Sequence, residues 1–344
     1  MHYCGLDVSR KSTHVYIEDA QGRRVKREVV ATTPTGLSRA VERYVERGVR
    51  VAIEAGNQTA WIVDLLREVG AKVHVVHPLK VKLIAESKKK TDRIDAQLLA
   101  HLLRVGGLPE PVHVPSRRSR EVRGLLVARR QLVHMRTRLL NVVRGLARQQ
   151  RVELRPRALL TRRGWSELAG AELSPALRDV VTAYQTTVAA TTAALAALDR
   201  QLTQRARRDP RVARLETMPG VGQVSAQTLV AAVDTIDRFA TAKKLVAYAG
   251  LAPSVRASGE RVEYGRITKQ GRSEIRATWV QAAHAALAVK GAAAAPLQRW
   301  WARVARRRGK KTAVVALARK LLTIAFHLLQ EGTTYDARRL RSSA

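Results

Sequence analysis

Three short apolar runs, Tyr3 to Val8, Thr13 to Glu18 and Val25 to Ala31, follow one another with only turn-length connections, the second pair joined at Asp19-Ala20-Gln21-Gly22. Strands so close in sequence pair as an antiparallel meander, because a parallel return needs a crossover of a dozen or more residues. Helical and extended segments alternate after them. Pro34 opens a helix through Leu37, Val41 and Tyr44 that ends at Gly48, and Val49 to Glu54 reads as a buried strand. Thr59 to Val69 is a helix closed by Gly70, and Lys72 to Val76 is a further strand. The order β-β-β-α-β-α-β, then a helix, is that of a ribonuclease-H-like α/β domain over residues 1–113. In that arrangement the first and fourth strands lie side by side.

Two acids close those strands: Asp7 ends Tyr3-Cys4-Gly5-Leu6-Asp7, and Glu54 ends Val51-Ala52-Ile53-Glu54. A second pair, Asp92 and Asp95, stands in Lys90-Thr91-Asp92-Arg93-Ile94-Asp95-Ala96 at the opening of a helix, where a spacing of three puts both on one face. Singly, each has an ordinary structural reading as a solvated strand end, an N-cap or a first-turn acid complementing the helix dipole. Together they are the all-oxygen donors that magnesium takes, a few carboxylates completed by water and phosphate oxygens. Asp95 is the expected direct ligand and Asp92 a neighbour or second ligand. Lys88, Lys89 and Lys90 just upstream are placed to hold a scissile strand.

The surrounding charge says what such a site acts on. Lys and Arg number 63 against 28 Asp and Glu, a net charge of +35. Such a surface attracts nucleic acid by neutralising phosphates and releasing counterions. A chain that only held nucleic acid would gain nothing by gathering acids where phosphates must come. Anionic membrane is the competing partner, but the basic residues are spread over every segment without a dominant amphipathic anchor. Aromatics make up only 4% of residues, which argues against a base-stacking platform. The single cysteine, Cys4, excludes an internal disulfide and a Cys-based zinc site and fits a reducing compartment. The N-terminal residues lack a signal-peptide pattern, and the apolar run Leu321 to Leu329 is too short for a membrane span, so a cytoplasmic location is expected.

Beyond residue 113 the pattern becomes helical. Leu125, Leu132, Leu139 and Leu146 recur every seven positions in one long helix over about 116–152, whose other faces carry Arg129, Arg130, Arg136, Arg138 and Arg144. After a polar break from Pro156 to Pro175, a second helix runs from Leu177 to Arg207. The two can pair as an antiparallel hairpin or across a dimer. Residues 114–211 thus read as a coiled-coil spacer, 212–330 as a mainly helical C-terminal domain and 331–344 as a tail. In that domain Met218-Pro219-Gly220-Val221-Gly222 precedes a helix from Ser225 to Val233, which resembles a helix-hairpin-helix whose glycines Gly220 and Gly222 let backbone N–H groups approach a phosphate; the alternative is an ordinary connection. Ser254 to Lys269 reads as an irregular β-hairpin around Ser258-Gly259, with helices from Arg272 to Val289 and Thr312 to Leu329 after it. Between those helices, Trp300, Trp301 and the run Arg306, Arg307, Arg308, Gly309, Lys310, Lys311 form a phosphate-contacting stretch.

Six blocks occur in order along nearly the whole chain: Gly5-Leu6-Asp7-Val8-Ser9, Ile53-Glu54-Ala55, Lys90-Thr91-Asp92-Arg93-Ile94-Asp95-Ala96, Pro219-Gly220-Val221-Gly222, Gly250-Leu251-Ala252-Pro253 and Ala257-Ser258-Gly259. Together they resemble the DEDD-type transposases of the insertion-sequence family numbered 110. The resemblance implies a RuvC-like N-terminal domain holding Mg2+ on Asp7, Glu54, Asp92 and Asp95. It also implies a C-terminal transposase domain in which Ser258 is the nucleophile that forms a phosphoserine link to DNA. Ser254 is the rival serine. No histidine lies near in sequence, the nearest being His284, so activation would fall to the metal. Arg256 and Arg261 would neutralise the transferring phosphate. The resemblance further implies double-stranded DNA and a structured guide RNA as partners, and a homodimer or tetramer.

Three functions compete. The leading one is an RNA-guided recombinase that excises and inserts its own mobile element. The second is a metal-dependent junction nuclease in which water attacks and Ser258 is a turn residue. The third is a non-catalytic scaffold that bridges nucleic acids.

Overall fold

The computed structural model describes residues 1–84, 92–258 and 261–340; the side chains of 82–84, 92–94, 256–258, 261, 262, 264, 339 and 340 also lie outside the description. The chain divides into two compact units, Met1–Pro115 and Ser116–Ala344.

The first unit is built on a five-stranded sheet of β1 (His2–Val8), β2 (Ser12–Glu18), β3 (Arg24–Ala31), β4 (Val49–Glu54) and β5 (Lys72–Val76), in the order β3-β2-β1-β4-β5. The meander is antiparallel, and β1 then pairs β4 in parallel, as the element order requires. Helices α1 (Pro34–Val41), α2 (Thr59–Glu68), α3 (Pro78–Ile84) and α4 (Asp92–Val105) complete it. Successive strand residues point to opposite faces, and the burial follows that rule. Cys4, Leu6, Val15, Ile17, Val51 and Ile53 pack with Leu37, Val41, Ile62 and Leu66 of α1 and α2. The opposite face carries Tyr3, Ala52 and Val76 against Val81, Leu99 and Leu103. The helix that opens at Pro34 ends at Val41 and finishes as a 3₁₀ turn, Glu42–Tyr44, rather than running to Gly48.

The second unit begins with two helices of 33 residues each, α5 (Arg117–Gln149) and α7 (Pro175–Arg207), each about 50 Å long at 1.5 Å per residue. They pair with each other and run antiparallel. Arg205 lies against Glu121 at 3.6 Å near one end, Arg129 donates to Asp199 at 2.6 Å in the middle, and the Ser174 N–H donates to Gln150 at 3.0 Å at the other. The polar break between them contains a further short helix, α6 (Arg162–Ala169), capped by Thr161. Then follow α8 (Pro210–Glu216), α9 (Gln223–Val233), α10 (Ala242–Tyr248), the ribbon of β6 (Pro253–Ser258) and β7 (Arg261–Ile267), α11 (Ser273–Ala288), α12 (Ala295–Arg308) and α13 (Lys310–Glu331). Their shared core runs from Leu215 and Leu229 through Leu245 and Trp279 to Leu317, Leu321 and Phe326.

One reading gains its secondary structure here and another, that no run is long enough for a membrane span, is corrected. The stretch holding Trp300, Trp301 and Arg306 to Arg308 is the helix α12, packed on α13. The segment around Leu321 is the 22-residue helix α13, long and apolar enough to cross a membrane by length and composition. It is a core helix of this unit, with Ala313, Leu317, Ala318, Leu321, Leu322 and Ala325 fully buried against its neighbours.

Candidate active site

Asp7 and Glu54 are brought together by strand register. Gly5 aligns with Ala52 and Leu6 with Ile53, so Asp7 and Glu54 come next on adjacent parallel strands. Both share a face with Gly5 and Ala52, the face that α4 covers. The direction of α4 follows from its packing. Arg104, near its C-terminal end, donates to the buried Glu18 at 2.7 Å, and Glu18 pairs with Tyr3 at the start of β1. Midway, the Ala96 carbonyl and Ala100 N–H lie directly over Gly5. The helix therefore runs antiparallel to β1, and its first turn, which begins at Asp92 and includes Asp95, lies toward the strand end that carries Asp7.

The turns that follow the two acids are fastened to each other. The Thr59 hydroxyl donates to the Glu54 carbonyl at 2.9 Å and accepts the Gly56 N–H at 2.7 Å, closing the turn after β4. Gln58 reaches the carbonyl of Ser9 at 3.2 Å, and Thr32 donates to that same carbonyl at 3.1 Å. Ser9 itself closes the β1–β2 turn by donating to the Ser12 carbonyl at 2.7 Å. His14, across from Asp7 in the β1–β2 register, is half-buried on the same face and was not singled out from sequence; alternation along Thr13 to Glu18 is the signal that places it there. Among the described residues no three acidic, histidine or cysteine side chains form a metal-holding group, and the Asp92 side chain lies outside that description. Lys88, Lys89 and Lys90 lie outside the described residues.

In the second unit Ser258 is the last residue of β6 and pairs with Arg261, the first of β7; Arg256 pairs with Glu263. Ser258, Arg256 and Arg261 therefore occupy one end of the ribbon, with their side chains outside the description. The rival serine, Ser254, is at the other end, its hydroxyl over Gly265. Gly220 takes φ +80°, and a Cβ there would lie 2.3 Å from the Ala286 nitrogen and 2.4 Å from the Ala282 oxygen. The glycine is thus required by packing on α11. At Gly222, the N-cap of α9, a Cβ would meet open space. Among the predicted basic contacts, Arg130, Arg306, Arg307, Arg308, Lys310 and Lys311 are exposed, Arg136 is half-buried, and Arg129 is engaged by Asp199.

Comparison with known proteins agrees with this architecture. Residues 4–150 match a family model for DEDD transposases of IS110 type, and residues 212–298 match one described as the transposase IS116/IS110/IS902 family. The chain is 29% identical to a probable family 20 transposase of Pseudomonas aeruginosa, over 83% of this chain and 85% of that protein. It is 27% identical to the transposase for insertion sequence element IS1111A of Coxiella burnetii, over 96% and 87%. A pilin gene-inverting protein of Moraxella bovis is 30% identical over 37% of this chain and 39% of its own length. With both matched segments in order along the chain, the chain belongs to the IS110 family of DEDD transposases, enzymes that cleave and rejoin DNA.

Proposed function

We propose that this transposase moves its own element by covalent catalysis, with Ser258 as the nucleophile and Asp7, Glu54, Asp92 and Asp95 as the carboxylates that hold Mg2+. The observation that carries the reading is the β1–β4 register, which sets Asp7 beside Glu54 on the face covered by α4, the helix bearing Asp92 and Asp95. The donor set suits magnesium: it is all oxygen, and magnesium binds through one or two carboxylates plus water and substrate phosphate, without needing a preformed cage. When bound, the ion supplies charge neutralisation at the phosphoryl oxygens.

In the reaction the Ser258 oxygen bonds to a DNA phosphorus as the bond from that phosphorus to one nucleoside oxygen breaks. The serine proton leaves to water, and the departing oxygen is released as a hydroxyl after taking up a proton. Attack by a nucleoside hydroxyl of another strand on the phosphoserine reverses these steps and rejoins DNA, so one phosphodiester is exchanged for another without an external energy source. Arg256 and Arg261, beside Ser258 in the ribbon register, neutralise the phosphate. The basic faces of α5 and the Arg306 to Lys311 run bind the DNA and a structured guide RNA, and a second copy of the chain completes the assembly. The pilin gene-inverting relative is a name in keeping with rejoining rather than hydrolysis.

The test uses the full-length protein with its element-end DNA and the RNA transcribed beside the gene. A covalent protein–DNA adduct is expected, lost in Ser258→Ala and in Asp7→Asn and Asp95→Asn, with DNA binding retained in all three. Cleavage that persists in Ser258→Ala with no adduct would favour water as the nucleophile. Adduct formation that needs no RNA would remove the guide from the account.

A further inference from the structure

The ribbon that carries Ser258 is attached to its unit at the base. Among the described residues no helix packs broadly along it, and its anchoring side chains are Ala252 and Ile267, which meet the core where the strands begin and end. The chain enters the ribbon through Tyr248 to Ala252 and leaves it through Thr268 to Arg272. These two segments cross closely: Thr268 donates to Ala252 at 2.9 Å, Lys269 to Gly250 at 3.2 Å and Arg272 to Tyr248 at 2.8 Å, all backbone to backbone. The crossing demands unusual conformations. Gly250 has φ +69° and Gly271 φ +125°, and Lys269, which is not a glycine, has φ +55°. A side chain at 271 would strike the Tyr248 oxygen at 2.3 Å. Left-handed backbone at a residue with a Cβ is retained only where its surroundings over-determine it.

A side chain from outside the two segments touches both. Arg276, on the first turns of α11, donates through Nη1 to the Ala249 carbonyl and to the Lys269 carbonyl, each at 3.2 Å. The second of these belongs to the residue in the left-handed conformation. Arg272, one turn earlier, donates to the Tyr248 hydroxyl at 3.1 Å, and that hydroxyl donates to the Ala232 carbonyl at the end of α9. We infer that Arg276 is a positioning residue for the transposase reaction: it bolts the entry and exit of the ribbon to α11 and so fixes the direction in which the ribbon presents Ser258. This rests on the serine reading above. A guanidinium suits the task because it stays charged at any working pH and its planar donors reach two carbonyls at once.

The experiment compares Arg276→Ala and Arg276→Lys with the parent in the full-length protein. Two readouts are taken: amide hydrogen exchange over residues 248–272, and the rate of covalent adduct formation on element-end DNA at saturating DNA. The alanine variant is expected to lose protection in that segment but not in α13. Its adduct rate should fall about 100-fold with DNA affinity within about twofold, as a displacement near 1 Å costs in a positioned reaction. The lysine variant, which keeps a cationic donor, should recover part of both together. Parent-like exchange and rate in Arg276→Ala overturn the inference, and so does lost protection with an unchanged rate. Ser258→Ala is run beside them: an adduct that survives there refutes the serine reading itself, separately from the exchange result.

Discussion

Gly5→Ala tests whether α4 lies where it must to bring Asp95 toward Asp7. A Cβ at position 5 would sit 1.9 Å from the Ala96 oxygen and 2.7 Å from the Ala100 nitrogen, both backbone atoms of α4. Separations under 3.0 Å essentially never occur for a real Cβ, so one methyl group forces helix and strand apart by about 1 Å in a close-packed interior. The far end of α4 is held by the Arg104–Glu18 pair and by Leu99 and Leu103 in the core. The displacement is therefore concentrated on the turn carrying Asp92 and Asp95. Overpacking of this kind costs about 3 kcal/mol, and a shift near 1 Å in the acids lowers the rate about 100-fold. Urea unfolding monitored by circular dichroism gives the first quantity and single-turnover cleavage of element-end DNA the second, with DNA affinity unchanged because the basic surface is untouched. Gly124→Ala is the control: this glycine lies inside α5 with open space around it, and alanine there should stabilise by about 0.5–1 kcal/mol. A Gly5→Ala protein with parent stability and parent cleavage would refute the β1–α4 packing and the carboxylate convergence built on it.

Other perturbations read other parts of the molecule. Gly220→Ala meets α11 backbone at 2.3 Å from a left-handed conformation and should destabilise by about 3 kcal/mol or more in the same urea assay. The Arg129–Asp199 pair is partly solvated, so a double-mutant cycle should return only about 0.5 kcal/mol, shrinking as salt is raised. At Asp209 burial pushes the carboxyl upward, but the side-chain hydrogen bond, charge and backbone N–H of Arg211, with the charge of Arg118, outweigh it and hold the pKa below the ordinary value. A depressed carboxylate contributes stability above its unfolded pKa of about 3.9 and loses it as pH falls through the folded value. Urea midpoints should therefore drop in acid less for Asp209→Asn than for the parent. Replacing Arg306, Arg307, Arg308, Lys310 and Lys311 with Ala should lower the slope of log affinity against log salt by about 0.9 for each phosphate that is no longer neutralised.

Much of the first unit was legible because its strands alternate. Tyr3, Gly5 and Asp7 on one face and Cys4 and Leu6 on the other follow from a period of two, and the element order alone makes β1 and β4 neighbours. The direction of α4 was not legible, since it depends on Arg104 finding Glu18 across 86 residues. The leucine stripe of α5 would look the same in a hairpin or a dimer; Arg129, Asp199, Gln150 and Ser174 supply the antiparallel register, and they stand out only as partners. The α12 helix hid behind its charges, because Trp300, Trp301 and Arg306 to Arg308 read as a phosphate-contacting stretch although Leu297, Trp300 and Trp301 keep one face against the core. The helix read over Thr312 to Leu329 is α13 to within two residues at each end, but Arg319 and Lys320 interrupt its apolar series and hid that it is long enough to span a membrane.

The ordered blocks of the sequence mix chemistry with geometry, and the structure separates the two. Gly5 stands two residues before Asp7 and lets α4 close onto the sheet; Gly220 lets the α8–α9 turn close onto α11; Gly250 lets the two ends of the Ser258 ribbon cross. The missing Cβ would strike backbone at 1.9 Å at Gly5, 2.3 Å at Gly220 and 2.8 Å at Gly250. Backbone cannot move aside as a side chain can, so such close approaches fix neighbouring elements to within a fraction of an ångström. A polyanion cutter with net charge +35 has ample attraction for its substrate. In the proposed mechanism it must still place a few acids against that field, and close backbone packing is a way to do so with no added charge. Alanine at Gly5 should therefore depress cleavage far more than binding, whereas neutralising exposed arginines should depress binding and leave the rate at saturating DNA nearly intact. Comparing the two ratios in one titration tests the division directly: equal losses of affinity in both classes would mean that the glycines serve substrate binding after all.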